Sequence, residues 1–286
     1  MITIYSDFAT EIKCKINDID CLRKKSAKEI VHAQMNAEDP NTYSFLEFFE
    51  PWLPWIDGTL IKAQLIDIGK WLENSKFSLK PLIIGSTTEE SIIDIYSAYT
   101  DPIDGEDYIA VIFMAFNSDS FKILAQYPVL WNNTDQRYQV SELATRYIFS
   151  CSSRNFLETY IALTTNDTNF YMYVFDFPLD FNGWGADQTY CKGHTCHGVD
   201  LPYTFDVPDA NFTSIGHSIA LDHIQYWSNF AKYQSPNGKN GEDAIIWPKY
   251  DSKNRRNLRF ASPENIIESM YLVQECDFLD TIGYVH

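Results

Sequence analysis

Lys80-Pro81-Leu82-Ile83-Ile84-Gly85-Ser86-Thr87-Thr88-Glu89-Glu90-Ser91 sets an apolar run, ended by glycine, against a cluster of hydroxyls and acids. A short apolar run bounded by proline and glycine reads as a buried strand. The hydroxyls that follow are helix caps, and the acids suit a first turn, where unpaired N–H groups and the helix dipole favour negative charge. Ile92, Ile93 and Tyr96 then carry the apolar face of a helix. The stretch predicts a strand that turns directly into a helix.

The same pattern recurs outward. Ser26 to Met35 predicts a short helix with Ile30, Val31 and Met35 at helical spacing, and Pro40, Pro51 and Pro54 break the chain into an aromatic-anchored loop. Ser118 to Ala125, Val140 to Phe149 and Ser214 to Ala231 predict further helices, while Phe170 to Phe177 and Ile266 to Tyr271 predict strands. Ile109 to Phe116 has the length of a buried strand or part of a core helix. Helices alternating with apolar strands point to an α/β fold, a mostly parallel sheet flanked by helices.

Composition narrows the function. Apolar residues make up 45% of the 286, and aromatics 15%, which is the make-up of a globular chain. The formal charge of −17 repels phosphate backbones and anionic lipid, so no nucleic-acid partner is expected. The one dense basic cluster, Arg255 and Arg256 with Lys249, Lys253 and Arg259, reads as a solvated loop. No apolar stretch approaches the ~20 residues of a membrane span, and the amino terminus shows no signal-peptide pattern.

Cysteines number six, spaced as two close pairs (Cys14 and Cys21, Cys191 and Cys196) and two distant singles, Cys151 and Cys276, whose pairing the sequence leaves open. Asn132, Asn166 and Asn211 begin glycosylation sequons. Paired cysteines with sequons suggest an oxidising, secretory history. Beside the missing signal pattern, they raise the expectation that something upstream has been lost.

Ester chemistry on such a fold needs a serine raised on a sharp Gly-x-Ser-x-Gly elbow. None exists here: Ile84-Gly85-Ser86-Thr87-Thr88 and Ile215-Gly216-His217-Ser218-Ile219 both lack the second glycine. No phosphate loop, metalloprotease helix or dinucleotide fingerprint occurs, so no cofactor is expected. Cys191-Lys-Gly-His194-Thr-Cys196-His197 tempts one toward zinc, but four ligands in seven consecutive residues would strain the backbone, and a local Cys191–Cys196 disulfide fits better; no metal is expected. Alone, His197 reads as a surface or hydrogen-bonded histidine, and Glu90 as a first-turn acid.

Several separated segments together resemble the type B carboxylesterases, the family that includes the cholinesterases, and within it the crystal-protein branch. Cys14 to Cys21, ahead of Lys25-Ser26-x-x-Glu29-Ile30, resembles the family's small disulfide loop and the helix after it. Pro51-Trp-Leu-Pro-Trp-Ile-Asp57-Gly58 is similar to a Pro-x-x-Asp-Gly strand. Gly85-Ser-Thr-Thr-Glu89-Glu90-Ser91 resembles the Gly-x-x-x-Asp-Glu-Gly segment that delivers the acidic triad member, with Glu89 standing for Asp and Ser91 for Gly. Tyr127-Pro128, Asp135 and Arg137, Ser141 to Leu143, and Thr145 through Arg154 follow the family's spacing. Cys196-His197-Gly198-Val-Asp200-Leu-Pro-Tyr203-Thr-Phe205 resembles the segment holding the catalytic histidine, and Tyr226-Trp227 to Ala231, Pro236-Asn237 and Trp247-Pro248-x-Tyr250 its closing helix and loop.

The resemblance implies the carboxy-terminal half of an α/β-hydrolase fold: residues 1–286 as one partial domain, its nucleophile-bearing amino-terminal half absent. It implies Glu90 as the acid orienting the imidazole and His197 as the general base of a Ser-Glu-His triad, with Cys14 and Cys21 bonded. The ancestral activity is hydrolysis of carboxylic esters, and the expectation is an inactive chain, because serine elbow and oxyanion hole are missing. The alternatives are a non-catalytic adhesion or binding module, or a truncated gene product without independent function. A small carboxylic ester would be the ligand of an active form, and a protein partner would cover the exposed sheet edge. The family also implies the secretory pathway.

Overall fold

The computed structural model describes residues 2–37, 52, 56–67, 69, 80–132, 135–163, 168–181, 183–207, 211–239 and 245–284. The chain divides into two compact units, Met1–Leu53 and Pro54–His286. The first contains helices α1 (Ile2–Glu11), α2 (Ile19–Arg23) and α3 (Ala27–Asn36). The α3 start is a reciprocal cap: Glu29 N–H donates to Ser26 Oγ at 3.3 Å, and Glu29 Oε2 accepts from Ser26 N–H at 2.9 Å. Cys14 and Cys21 are disulfide-bonded just before it.

The second unit holds the sheet, in the order β1 (Leu82–Thr87), β2 (Phe170–Asp176), β3 (Arg256–Ala261), β4 (Ile266–Ser269). The first three strands run parallel and β4 turns back antiparallel to β3. Helices fill the connections: α4 (Ile92–Ala98), α5 (Gly105–Phe116), α6 (Ser120–Gln126), α7 (Arg137–Ala144), α8 (Cys151–Ala162), α9 (Leu201–Thr204), α10 (Ser214–Tyr233) and α11 (Val273–Ile282). A π-helical turn, Thr145–Ser150, joins α7 to α8.

Strand β2 is the centre because nearly all of it is apolar. Side chains alternate across a strand, so Tyr171, Tyr173 and Phe175 face one side and Phe170 and Met172 the other. The first set packs with Trp247, Leu258, Phe260, Tyr226 and Ile219 of α10's side, and the second with Leu157 of α8 and Tyr250. Trp247 is fully buried, and its indole N–H donates to the Met172 carbonyl at 3.1 Å. Gly85 sits opposite Tyr173 in the β1–β2 register, where a Cβ would lie 2.3 Å from the Tyr173 carbonyl oxygen.

Against the expectation that no stretch is long and apolar enough to cross a membrane, residues Gly105–Gln126 are so by length and composition alone. In the fold they are two helices meeting at Asn117, where φ is +46°, with Phe113 of α5 stacked edge-on against Phe121 of α6. Tyr108, Val111, Ile112 and Ile123 are buried beneath them.

Two further expectations are corrected. Asp57-Gly58, expected at the end of a strand, lies in a turn: the Asp57 carboxylate accepts the N–H groups of Thr59, Leu60 and Ile61, each at 2.8 Å, and Gly58 has φ +71°. Pro51 and Leu53–Trp55 lie outside the described residues. The basic cluster is a solvated loop only in part: Lys249, Lys253 and Arg256 are exposed, whereas Arg255 and Arg259 are ion-paired. Arg259 lies on β3 and pairs with Asp176 and Glu268, and Arg255 pairs with Glu158 and Asp277. Acidic neighbours across the sheet and on α8 and α11 hold these guanidinium groups down.

Cys151 of α8 and Cys276 of α11, 125 positions apart, form a disulfide. In the chain-entropy account, closing a loop of that size stabilises by about 5 kcal/mol. Beside it the buried Arg154 pairs with Asp277 and Asp280. Three disulfides, counting Cys191–Cys196, are consistent with a protein of the secretory pathway. Asn132 and Asn211 are exposed, and Asn166 lies outside the described residues.

His223 of α10 is fully buried, stacked on Trp227 at 4.0 Å, with Nδ1 bonded to Thr204 Oγ1 at 2.9 Å. Burial pushes its pKa down to about 3. The unfolded chain therefore takes up the proton first as pH falls, and stability drops below about pH 6.5, by at most ~1.4 kcal/mol per pH unit for this one group. Urea midpoints measured from pH 7 downward are expected to fall more steeply for the unaltered chain than for His223→Phe; parallel profiles would contradict this. Gly85→Ala is expected to cost about 1–3 kcal/mol in the same assay at neutral pH, since the new methyl meets the Tyr173 carbonyl and the packed base of its ring.

Candidate active site

Glu90 closes the turn that follows β1, one residue before the α4 cap. Its carboxylate folds back, and Oε1 accepts the Thr87 N–H at 2.6 Å. That leaves Oε2 aimed away from the strand, 2.6 Å from His197 Nδ1. The Glu90 carbonyl also accepts the His197 N–H at 3.2 Å, so acid and histidine are joined by side chain and backbone together. Glu90's side chain is 6% exposed, while that of His197 is 60% exposed.

Ser91, where the resembled family has glycine, has φ −85°, an ordinary value for any residue. It is buried, and its N–H donates to Thr145 Oγ1 of the π-helical turn at 3.0 Å. The same turn presents Phe149, whose ring centroid lies 5.3 Å from that of His197. The imidazole is thus packed on Phe149 at a tilt and otherwise mostly exposed; among the described residues no hydroxyl is bonded to it.

His197 comes from a short loop that its own chemistry closes. A 3₁₀ helix, Ala186–Cys191, ends at a cysteine bonded to Cys196. Both sulfurs are buried against Ile92 of α4. The zinc reading is thereby displaced, since the two thiolates it would need are consumed. Gly198, immediately after the histidine, has φ +81°, which allows the chain to leave sharply toward α9.

The electrostatics follow from this geometry. The hydrogen bond that His197 donates to the Glu90 carboxylate is the largest influence on the histidine and raises its pKa; burial opposes, and the charges of Glu90, Asp94 and Asp200 add to the rise. Asp200 is pushed up, first by burial and then by repulsion from Glu90, and it accepts a hydrogen bond from Tyr173 at 3.2 Å. Behind the pair lies a second one. Glu89 Oε1 is 2.9 Å from His194 Nδ1, and Glu89 Oε2 accepts the Thr195 N–H at 2.9 Å.

The structure therefore brings Glu90 and His197 together, and bonds Cys191 to Cys196 directly beneath them. The Glu89–His194 pair and the packing of Thr145 and Phe149 were not singled out by sequence reasoning. No spacing in the sequence announces the second pair: 105 positions separate Glu89 from His194, against 107 for Glu90 and His197. A cavity of about 450 Å³ opens among Tyr127, Leu130, Tyr138, Glu142 and Arg146, and neither Glu90 nor His197 lines it.

The profile of the Carboxylesterase family matches residues 2–279. The cAMP-regulated D2 protein of Dictyostelium discoideum is 30% identical, over 97% of this chain and 51% of its own length. The Crystal protein of Dictyostelium discoideum is 25% identical, over 97% of this chain and 50% of its own. The chain thus spans about half the length of the curated relatives it matches. The solved structure of a PNB esterase superposes with TM-score 0.67 over 97% of this chain and 54% of its own, at 18% identity, which speaks to the fold. An α/β-hydrolase sheet, with the family's profile running along nearly its whole length, places this chain in the carboxylesterase family.

Proposed function

We propose that Glu90 and His197 are the acid and the general base of a carboxylic ester hydrolase, and that the nucleophilic serine is not among residues 1–286. The single observation carrying this reading is the 2.6 Å contact between Glu90 Oε2 and His197 Nδ1 under an imidazole that is otherwise 60% exposed. With Nδ1–H donated to the carboxylate, Nε2 is left as the acceptor and faces outward. There it takes the proton of a serine hydroxyl as that oxygen attacks the ester carbonyl. It then returns the proton to the departing alcohol, and activates water for the second half of the reaction. The Glu90 carboxylate holds the ring by Nδ1 and stabilises the imidazolium.

Among the described residues, two serine hydroxyls near the strand end do not offer a substitute. Ser86 and Ser150 are buried and bonded to each other at 2.9 Å. Without a serine and without an oxyanion hole, the base alone gives little rate enhancement. The chain by itself is therefore read as inactive. The secretory setting belongs to the same proposal, with Asn132 and Asn211 as glycan acceptors on the surface.

The chain expressed alone is expected to form no adduct with a fluorophosphonate and to turn over a simple aryl ester no faster than free imidazole does. An adduct on one of its own serines, with turnover lost in that Ser→Ala variant, would contradict the reading. In an NMR titration His197 is expected above the ordinary histidine range, and Glu90→Gln is expected to bring it down. Because the folded value is the higher one, the pair's contribution to stability is complete below the unfolded histidine pKa of about 6.5 and is lost as pH rises through the folded value. A titration indifferent to Glu90→Gln would contradict the assignment.

A further inference from the structure

Glu89 and Glu90 are consecutive, yet they hold two different points of one loop. Glu90 holds His197. Glu89 takes hold two and three residues earlier: Oε2 accepts the Thr195 N–H at 2.9 Å and the Thr195 hydroxyl at 3.3 Å, and Oε1 meets His194 Nδ1 at 2.9 Å and the Tyr138 hydroxyl at 3.1 Å. Thr195 is itself buried, with its hydroxyl 2.7 Å from that of Thr88. Burial pushes the Glu89 carboxyl up, but the Thr195 N–H and the His194 ring outweigh it and hold it below the usual range.

His197 needs such a hold. Its ring is mostly exposed, and among the described residues it is held at Nδ1 by Glu90 and against one ring, that of Phe149, so its direction depends on where the loop delivers it. The rigid part of the loop is the stretch just before it, Cys191 to Cys196, closed by the disulfide below and by Glu89 from the side. We propose that Glu89 is a positioning residue, which keeps the His197 imidazole in line with Glu90 by clamping Thr195 and His194. This rests on the acid–base reading of Glu90 and His197, and it assigns the neighbouring Glu–His pair a structural share in the same reaction. Neither Glu89 nor His194 touches the reacting atoms.

The charges that raise His197 most are those of Glu90, Asp94 and Asp200, and Glu89 is not among them. That separates geometry from charge. Glu89→Gln removes the charge but keeps a carbonyl for the Thr195 N–H and an amide N–H₂ for His194 Nδ1. Glu89→Ala removes both. The test is the NMR titration of His197 in the full chain, its resonance assigned by loss in His197→Asn.

The proposal expects the raised His197 pKa to fall toward the ordinary histidine value in Glu89→Ala, and to be retained in Glu89→Gln. If Glu89→Ala does not fold, Glu89→Met fills the same space without an acceptor and is expected to lower the pKa equally. An unchanged His197 titration in Glu89→Ala or Glu89→Met overturns the proposal, and so does a Glu89→Gln profile as low as that of the acceptor-free variant. Glu90→Gln tells the two readings apart. If it lowers the His197 pKa while the Glu89 variants do not, only the positioning role fails; if it leaves His197 unchanged, the acid–base pair and the positioning role fail together.

Discussion

One buried carboxylate against one exposed imidazole organises this site. Glu90 is held at 6% exposure by a strand end and a helix start, and bonding to the Thr87 N–H and the His197 ring compensates for its removal from water. A buried carboxylate without such partners would be costly. The strand, the turn and the loop that carries His197 must therefore arrive at one point. The sheet order, the Cys191–Cys196 disulfide and the π-helical turn are the means by which they do.

Each support acts at a different range. Parallel pairing of β1 with β2 fixes the height at which Glu90 leaves the sheet, and Gly85 permits that pairing by giving the Tyr173 backbone room. The π-helical turn between α7 and α8 puts Thr145 under Ser91 and Phe149 beside His197. Turns of this kind recur where a helix must re-aim side chains at a site. The Cys151–Cys276 disulfide and the Arg154 pairs with Asp277 and Asp280 tie α8 to α11, and so secure the helix that carries this turn.

Much of this was legible in residue order, for identifiable reasons. β1, β2 and α10 announce themselves by apolar runs and helical spacing, and the α3 cap by Ser26 and Glu29. β3 did not, because arginines at 256 and 259 mask the alternation of Leu258 and Phe260, and only the acids on neighbouring elements reveal why arginine is tolerated there. For the segment ending at Asp57-Gly58 the strand came from the family resemblance alone, against the breaks at Pro51 and Pro54, and the capture of three N–H groups by Asp57 sets a turn there instead. Cys151 and Cys276 could not be paired from spacing, since the packing of α8 on α11 alone brings them together. The Glu89–His194 pair escaped notice because a lone acid and a lone histidine, far apart in sequence, each have an ordinary reading.

The contact between Glu90 and His197 can be observed through the proton it shares. In an NMR spectrum of nitrogen-15-labelled chain, a strongly downfield proton bonded to His197 Nδ1 is expected, slow to exchange with water and abolished in Glu90→Gln. The absence of such a resonance, or its survival in Glu90→Gln, would mean that the carboxylate does not hold the imidazole, and the account of the site would not stand.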